Sequence, residues 1–150
     1  MTREETERQF AKVLKVCGEA AERHGMTIVV EPLSKCDCNY IHTVEEGANV
    51  AKMADHPAVG ALVDFYHCWN NKEDISTLHL YADKLYHAHY ARPDDRWAPL
   101  PGDESTLLTV ADALKKCPKI ERITLECRWH PDYETSVRVA RPLMEIFKGV

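Results

Sequence analysis

Four apolar runs in this chain each close on a side chain able to hold a metal ion. TIVVE ends at Glu31, VGALVD at Asp64, KLYHAH at His89 and ITLE at Glu126. A buried carboxylate is costly unless it is paired or bound to a cation. One such residue fits a helix cap or a salt-bridge partner just as well. Four of them, at the same end of successive runs, point to a single site. Three carboxylates and one imidazole make a hard, oxygen-rich ligand set, which favours Mn²⁺, with Mg²⁺ or Co²⁺ as alternatives, over zinc held by thiolates. Three anionic ligands also exceed the charge of a divalent ion, so the site would hold its ion tightly.

Such a set needs a scaffold that gathers strand ends. The spacing of Phe10, Val13, Leu14, Cys17 and Ala21 predicts a helix over 3–24, with His24-Gly25 as its stop. TIVVEPL (27–33) is β-branched and too short for a helix, so it reads as a strand. Thr43 and Glu46 form a capping-box pattern that opens a helix along TVEEGANVAKMA. His56-Pro57 breaks that helix, and VGALVDFYH (59–67) is the next apolar run. Beyond it the pattern predicts a helix over 72–83, a strand over 84–90 and a helix over 104–116 with Leu107, Leu108, Ala111 and Leu114 on one stripe. A strand over 123–127 and a helix over 132–147 complete the chain. Strand and helix thus alternate four times, the α/β pattern of a parallel sheet built from four βα units. Ligands in such sheets bind at the carboxyl ends of the strands. No linker or low-complexity stretch divides residues 1–150, which read as one domain.

The string HAHYARPDDR adds detail. Side chains alternate along a strand, so His87 and His89 share a face. The loop that follows, 91–103, is the longest irregular stretch, and long loops inside compact domains are usually functional.

Bulk properties exclude several partners. The 24 acids and 19 bases give a net charge of -5 without a basic cluster, which excludes a nucleic-acid backbone as the main ligand. No apolar run approaches the ~20 residues needed to span a bilayer. The opening MTREETERQF has no signal-peptide pattern, so a cytoplasmic location is expected. The cysteines at 17, 36, 38, 68, 117 and 127 are expected as reduced thiols, with a zinc site on Cys36 and Cys38 as the alternative.

Taken in order, VVEPLSKCDCNYIHT, LVDFYHCW, YHAHYARPDDR and ITLECRW resemble the xylose-isomerase-like TIM-barrel superfamily, in particular its sugar isomerases and epimerases similar to D-tagatose 3-epimerase. The resemblance spans nearly the whole chain but only the second half of the family's barrel. It implies that Glu31, Asp64, His89 and Glu126 are the metal ligands and that Glu31 and Glu126 also move protons. It implies that His67 contacts substrate and that Arg96 contacts the sugar's oxygens, with Arg92 as a second candidate. His89 would then sit at the barrel mouth and His87 one layer deeper. Asp37 stands where the family often has glutamate, as a candidate substrate contact, and Ser34-Lys35 stands where the epimerases usually have Asn-Arg.

The implied reaction is isomerisation or epimerisation of a ketose or related polyol-derived ketone through an enediolate. One carboxylate removes a proton beside a carbonyl and the other returns it, while the metal stabilises the negative oxygen. His67 and Arg96 would support that oxygen. Two alternatives stand beside this reading. One is a non-catalytic module that binds metal or sugar. The other is a nuclease-like phosphohydrolase of the same superfamily, disfavoured by the acidic balance and by the few strand-end histidines. Trp69, Trp97 and Trp129 are read as packing or a sugar platform, with packing favoured for Trp69. His24, His42, His56, His79 and His130 read as surface or capping residues.

A closed barrel of eight strands takes about 250 residues, so four βα units amount to half of one. Edge strands are templates for further pairing. Self-association, or pairing with a separate first-half polypeptide, is therefore expected, with Val29 and Val63 among the inward-facing residues it would cover.

Overall fold

In the computed structural model, which describes residues 2–150, four parallel strands form one sheet in sequential order. They are β1 (Ile28–Val30), β2 (Val59–Asp64), β3 (Leu85–Tyr90) and β4 (Ile123–Leu125). The helices are α1 (Arg3–Glu22), α2 (Val44–Met53), α3 (Phe65–Asn71), α4 (Glu104–Leu114) and α5 (Tyr133–Leu143), with 3-10 turns at Ile75–Tyr81 and Met144–Phe147. This is half of an eight-stranded α/β barrel. The outer edges of β1 and β4 carry no partner strand among the described residues.

The two faces of the sheet differ in kind. Val59, Ala61, Val63, Ala88 and Tyr90 lie fully buried against the helix layer, in clusters that include Val44, Phe65, Leu107, Val110 and Leu114. Each such side chain taken from water contributes about 1.5–3 kcal/mol when it is Val-sized or larger. Side chains alternate along β2, so Leu62 and Asp64 point to the opposite, inner face. Val63 therefore belongs to the helix-side core and not to the inner face expected for it, whereas Val29 precedes Glu31 by two and shares the inner face. Along β3 the register slips between Ala61 and Leu62, so that Leu62 pairs with His87 and Tyr86 is the extra residue of a bulge. The Tyr86 ring lies over Gly60, where a Cβ would come within 2.2 Å of it.

The helix boundaries follow from their caps. Both Thr2 and Thr43 form complete capping boxes, with Glu5 and Glu46, and Gly25 takes a positive φ of 64° after α1. The apolar run 59–67 is not one strand. It turns helical after Asp64, whose Oδ1 accepts the His67 N–H at 3.2 Å and caps α3. Of the helix expected over 72–83, only the 3-10 turn at Ile75–Tyr81 forms, and the last helix ends at Leu143 before another 3-10 turn. On α1 the buried stripe is Ala11, Leu14, Gly18 and Ala21, while Val13 is exposed. The helix sits too close for larger residues: a Cβ on Gly18 would lie 2.6 Å from Val59. On α4, Val110 takes the buried place expected for Leu108, which is exposed.

Candidate metal centre

The parallel register places the four strand ends at one mouth. Asp64 pairs with His89 across β2 and β3, and Glu31 and Glu126 each follow the last residue of their strands. One donor atom from each of Glu31, Asp64, His89 and Glu126 lies within 4.8 Å of every other. His89 Nδ1 is the hub. It lies 3.1 Å from Glu31 Oε1, 3.5 Å from Glu126 Oε2 and 3.8 Å from Asp64 Oδ2. The Glu31 contact is a hydrogen bond, while at 3.8 Å the Asp64 contact is ionic attraction only.

The electrostatics follow from crowding three carboxylates around one imidazole. Asp64, then Glu31, push the His89 pKa up to about 10 against the opposing effect of burial. Burial raises Asp64 too, but His89 and the His67 backbone N–H outweigh it and hold this carboxyl below its ordinary range. Glu126 is pushed upward, first by burial and then by Asp64 and Glu31. Of this pair, Asp64 is therefore the stronger acid. One layer deeper, His87 Nε2 lies 3.0 Å from Thr124 Oγ1, and burial followed by the neighbouring His89 lowers its pKa. His87 thus lies one layer below His89 on the same strand face.

The donor set fits a divalent cation. Asp64 Oδ2 is buried without a hydrogen-bond partner, although its twin oxygen is used in the α3 cap. A buried carboxylate oxygen without a partner is expensive, and a cation in reach of all four donors would satisfy it.

The remaining candidates divide. Arg96 reaches the centre, with Nη2 3.1 Å from Glu126 Oε2 and its guanidinium 4.8 Å from the Tyr66 ring centroid. Its backbone has a φ of 60°, a left-handed conformation that a non-glycine residue adopts at some cost. Arg92 is instead taken up inside its own loop by Asp95 at 3.0 Å and Asp103 at 3.1 Å. His67 is buried in the first turn of α3, and the exposed Asp37 brings Oδ2 to 3.7 Å from its Nδ1. Trp69 packs against Phe65 and Tyr90, Trp97 stacks on His130 at 4.1 Å, and Trp129 meets Tyr133 edge-on. Cys36 is exposed and Cys38 donates to the Tyr40 carbonyl. Ser34, Tyr66 and Thr124, which support His67, Arg96 and His87, carry no signal in the sequence because their partners are remote.

Fold and mouth together define an α/β half-barrel with a polar centre at the carboxyl ends of its strands. The chain belongs to the xylose isomerase-like TIM-barrel family, which it matches over residues 1–143. It is 30% identical over 79 residues to a 3-dehydroshikimate dehydratase of Pseudomonas putida, covering 52% of this chain and 12% of that protein. Its fold is that of an AP endonuclease, family 2, from Brucella melitensis, at 21% identity and TM-score 0.81, covering 95% of this chain and 56% of that one. It also resembles a D-psicose 3-epimerase of Clostridium cellulolyticum H10, at 17% identity and TM-score 0.78, covering 99% and 57%. The chain therefore spans little more than half the length of these structures.

Proposed function

We propose that this chain is the metal-bearing half of a divalent-metal-dependent sugar isomerase or epimerase acting on a ketose or related polyol-derived ketone. The observation that carries the reading is the convergence of Glu31, Asp64, His89 and Glu126, with Asp64 Oδ2 buried and lacking a partner. These four residues would hold the ion. The oxygen-rich set favours Mn²⁺, with Mg²⁺ and Co²⁺ as alternatives. When bound, the ion supplies Lewis-acid stabilisation of the substrate's negative oxygen. Glu31 and Glu126, on the two outer strands, flank the centre; one removes the proton beside the carbonyl and the other returns it. Arg96 and His67 donate to the substrate's oxygens, and Asp37 contacts its hydroxyls.

The open edges of β1 and β4 support a further part of the reading. Four more strands, from a second copy or from a separate first half, complete the barrel and enclose the sugar. Epimerase resemblance of the fold supports the reaction class, and a cytoplasmic location is part of the same proposal.

The assembled, Mn²⁺-loaded protein should exchange a substrate C–H proton into D₂O across a panel of ketoses, read by NMR. Glu126→Gln should abolish that exchange. A loaded assembly that binds Mn²⁺ but exchanges nothing would leave a binding module instead. The dehydratase relative favours one second reading, in which the same proton removal is followed by loss of water. A conjugated product absorbing in the ultraviolet, in place of an isomeric sugar, would identify it.

A further inference from the structure

His67 makes an unusual pair of contacts. Its Nδ1 lies 3.1 Å from the Ser34 backbone N–H and 2.7 Å from Ser34 Oγ. A backbone N–H can only donate, so Nδ1 must offer its lone pair. The Ser34 hydroxyl can rotate to suit and donates to the same atom. A neutral ring held this way carries its proton on Nε2. Both residues are almost completely buried, Ser34 at 1% and His67 at 2% exposure, so water does not compete for these bonds.

Asp37 sharpens the point. Its Oδ2 stands 3.7 Å from the same Nδ1, too far for a hydrogen bond but close enough to take one after a small rotation. A carboxylate would draw the proton to Nδ1, which is the opposite tautomer. Ser34 and Asp37 therefore compete for one ring nitrogen, and in this structure Ser34 holds it.

We infer that Ser34 is a positioning residue that fixes His67 as the Nε2–H tautomer, keeps Asp37 free of the ring and leaves Nε2–H as the ring's one donor for a substrate oxygen. The last clause rests on the reaction proposed above; the tautomer itself does not.

The test is a long-range ¹H–¹⁵N correlation spectrum of the full ¹⁵N-labelled chain at neutral pH, with His67 assigned by its loss in His67→Gln. The wild-type ring should show a bare Nδ1 and a protonated Nε2. Ser34→Ala keeps the longer backbone bond but loses the shorter hydroxyl one, and should let Asp37 displace the former and draw a fraction of the rings to the Nδ1–H form. Ser34→Thr should restore the wild-type pattern, as should Asp37→Asn in the Ser34→Ala background. In the loaded assembly, Ser34→Ala should lower kcat roughly tenfold at unchanged KM, a part of the about hundredfold or more that losing a direct oxyanion donor costs. A wild-type His67 protonated on Nδ1, or a Ser34→Ala spectrum identical to wild type, would overturn the inference. Absence of turnover with every ketose would count against the reaction alone, because the spectra decide the tautomer without it.

Discussion

Asp64 and His89 stand on the two inner strands, Glu31 and Glu126 directly follow the two outer ones, and their surroundings differ accordingly. Every residue of β2 is buried, whereas no residue of β4 is. The Asp64 side chain is 1% exposed and the Glu126 side chain 46%. Asp64 is fixed twice, as a cap of α3 and as a neighbour of His89, while the half-exposed Glu126 is held by Arg96 and His89. The inner pair is thus set by the scaffold. The outer pair is more exposed, Glu31 at 28% and Glu126 at 46%. The centre of the sheet is held by burial and the edges by polar contacts.

The largest effects should come from the four residues of the candidate metal centre, and they should separate the two regions. Asp64→Asn keeps an acceptor for the His67 N–H but loses the charge, so Mn²⁺ binding should collapse, and the metal-free fold should lose the stability that the Asp64 charge gives beside His89. Asp64→Ala loses the cap as well, and should cost about 1 kcal/mol or more in the chelated protein. Glu126→Gln should weaken Mn²⁺ binding by more than the ~10–100-fold typical of an outer supporting residue. Its metal-free melting temperature should hold or rise, since Asp64 and Glu31 crowd this carboxylate. Calorimetric titration and melting with chelator measure both quantities. Equal stability losses for Asp64→Ala and Glu126→Gln would erase the distinction between centre and edge.

A smaller effect tests the packing itself. A Cβ at Gly60 would lie 2.2 Å from Tyr86 Cδ2 and 2.8 Å from the Lys84 carbonyl oxygen, which is backbone and cannot swing away. Gly60→Ala should therefore cost about 1–3 kcal/mol, as overpacking does. At the edge, Thr124→Ala removes one hydrogen bond to His87 from an exposed position, and should cost about 0.5 kcal/mol, the lower end for such bonds. Chemical denaturation of both variants makes the comparison, and it fails if the edge substitution costs more.

The four converging residues were legible because each ends an apolar run, and a polar residue there stands out against its neighbours. The sheet was legible through the alternation of short β-branched runs with helical spacing. The start of α3 was not, since Phe65 and Tyr66 prolong the apolar run and only the Asp64 cap marks the change. The buried stripes on α1 and α4 were blurred because close helix packing selects Ala11 and Gly18, which hydrophobicity ranks below Val13. Arg92 and Arg96 could not be told apart until Asp95 and Asp103 were seen to occupy the former. The contact between Ser34 and His67 joins residues 33 apart in sequence, a pairing that no local pattern encodes.

The smallest effect concerns how the β1 edge is tied down, and pH reveals it. Glu46 accepts the His42 N–H at 2.6 Å and the Thr43 N–H at 3.3 Å, and pairs with Arg3 at 2.6 Å, so it joins α1 to the start of α2. Burial raises its pKa, but these donors and Arg3 outweigh that and leave it below the ordinary value of 4.5. A carboxyl depressed on folding stabilises the fold at pH above its unfolded value. That contribution fades as pH falls from about 4.5 through the lower folded value. Glu46→Gln should accordingly cost about 0.5–1 kcal/mol at pH 7, in keeping with a partly exposed ion pair and its hydrogen bonds. Below pH 4 the variant and the wild type should converge. Hydrogen exchange should locate the loss in the first turn of α2 and at β1, with β2 and β3 unaffected. A stability gap that persists at pH 3, or exchange that quickens equally in the inner strands, would show that the edge does not depend on this charge.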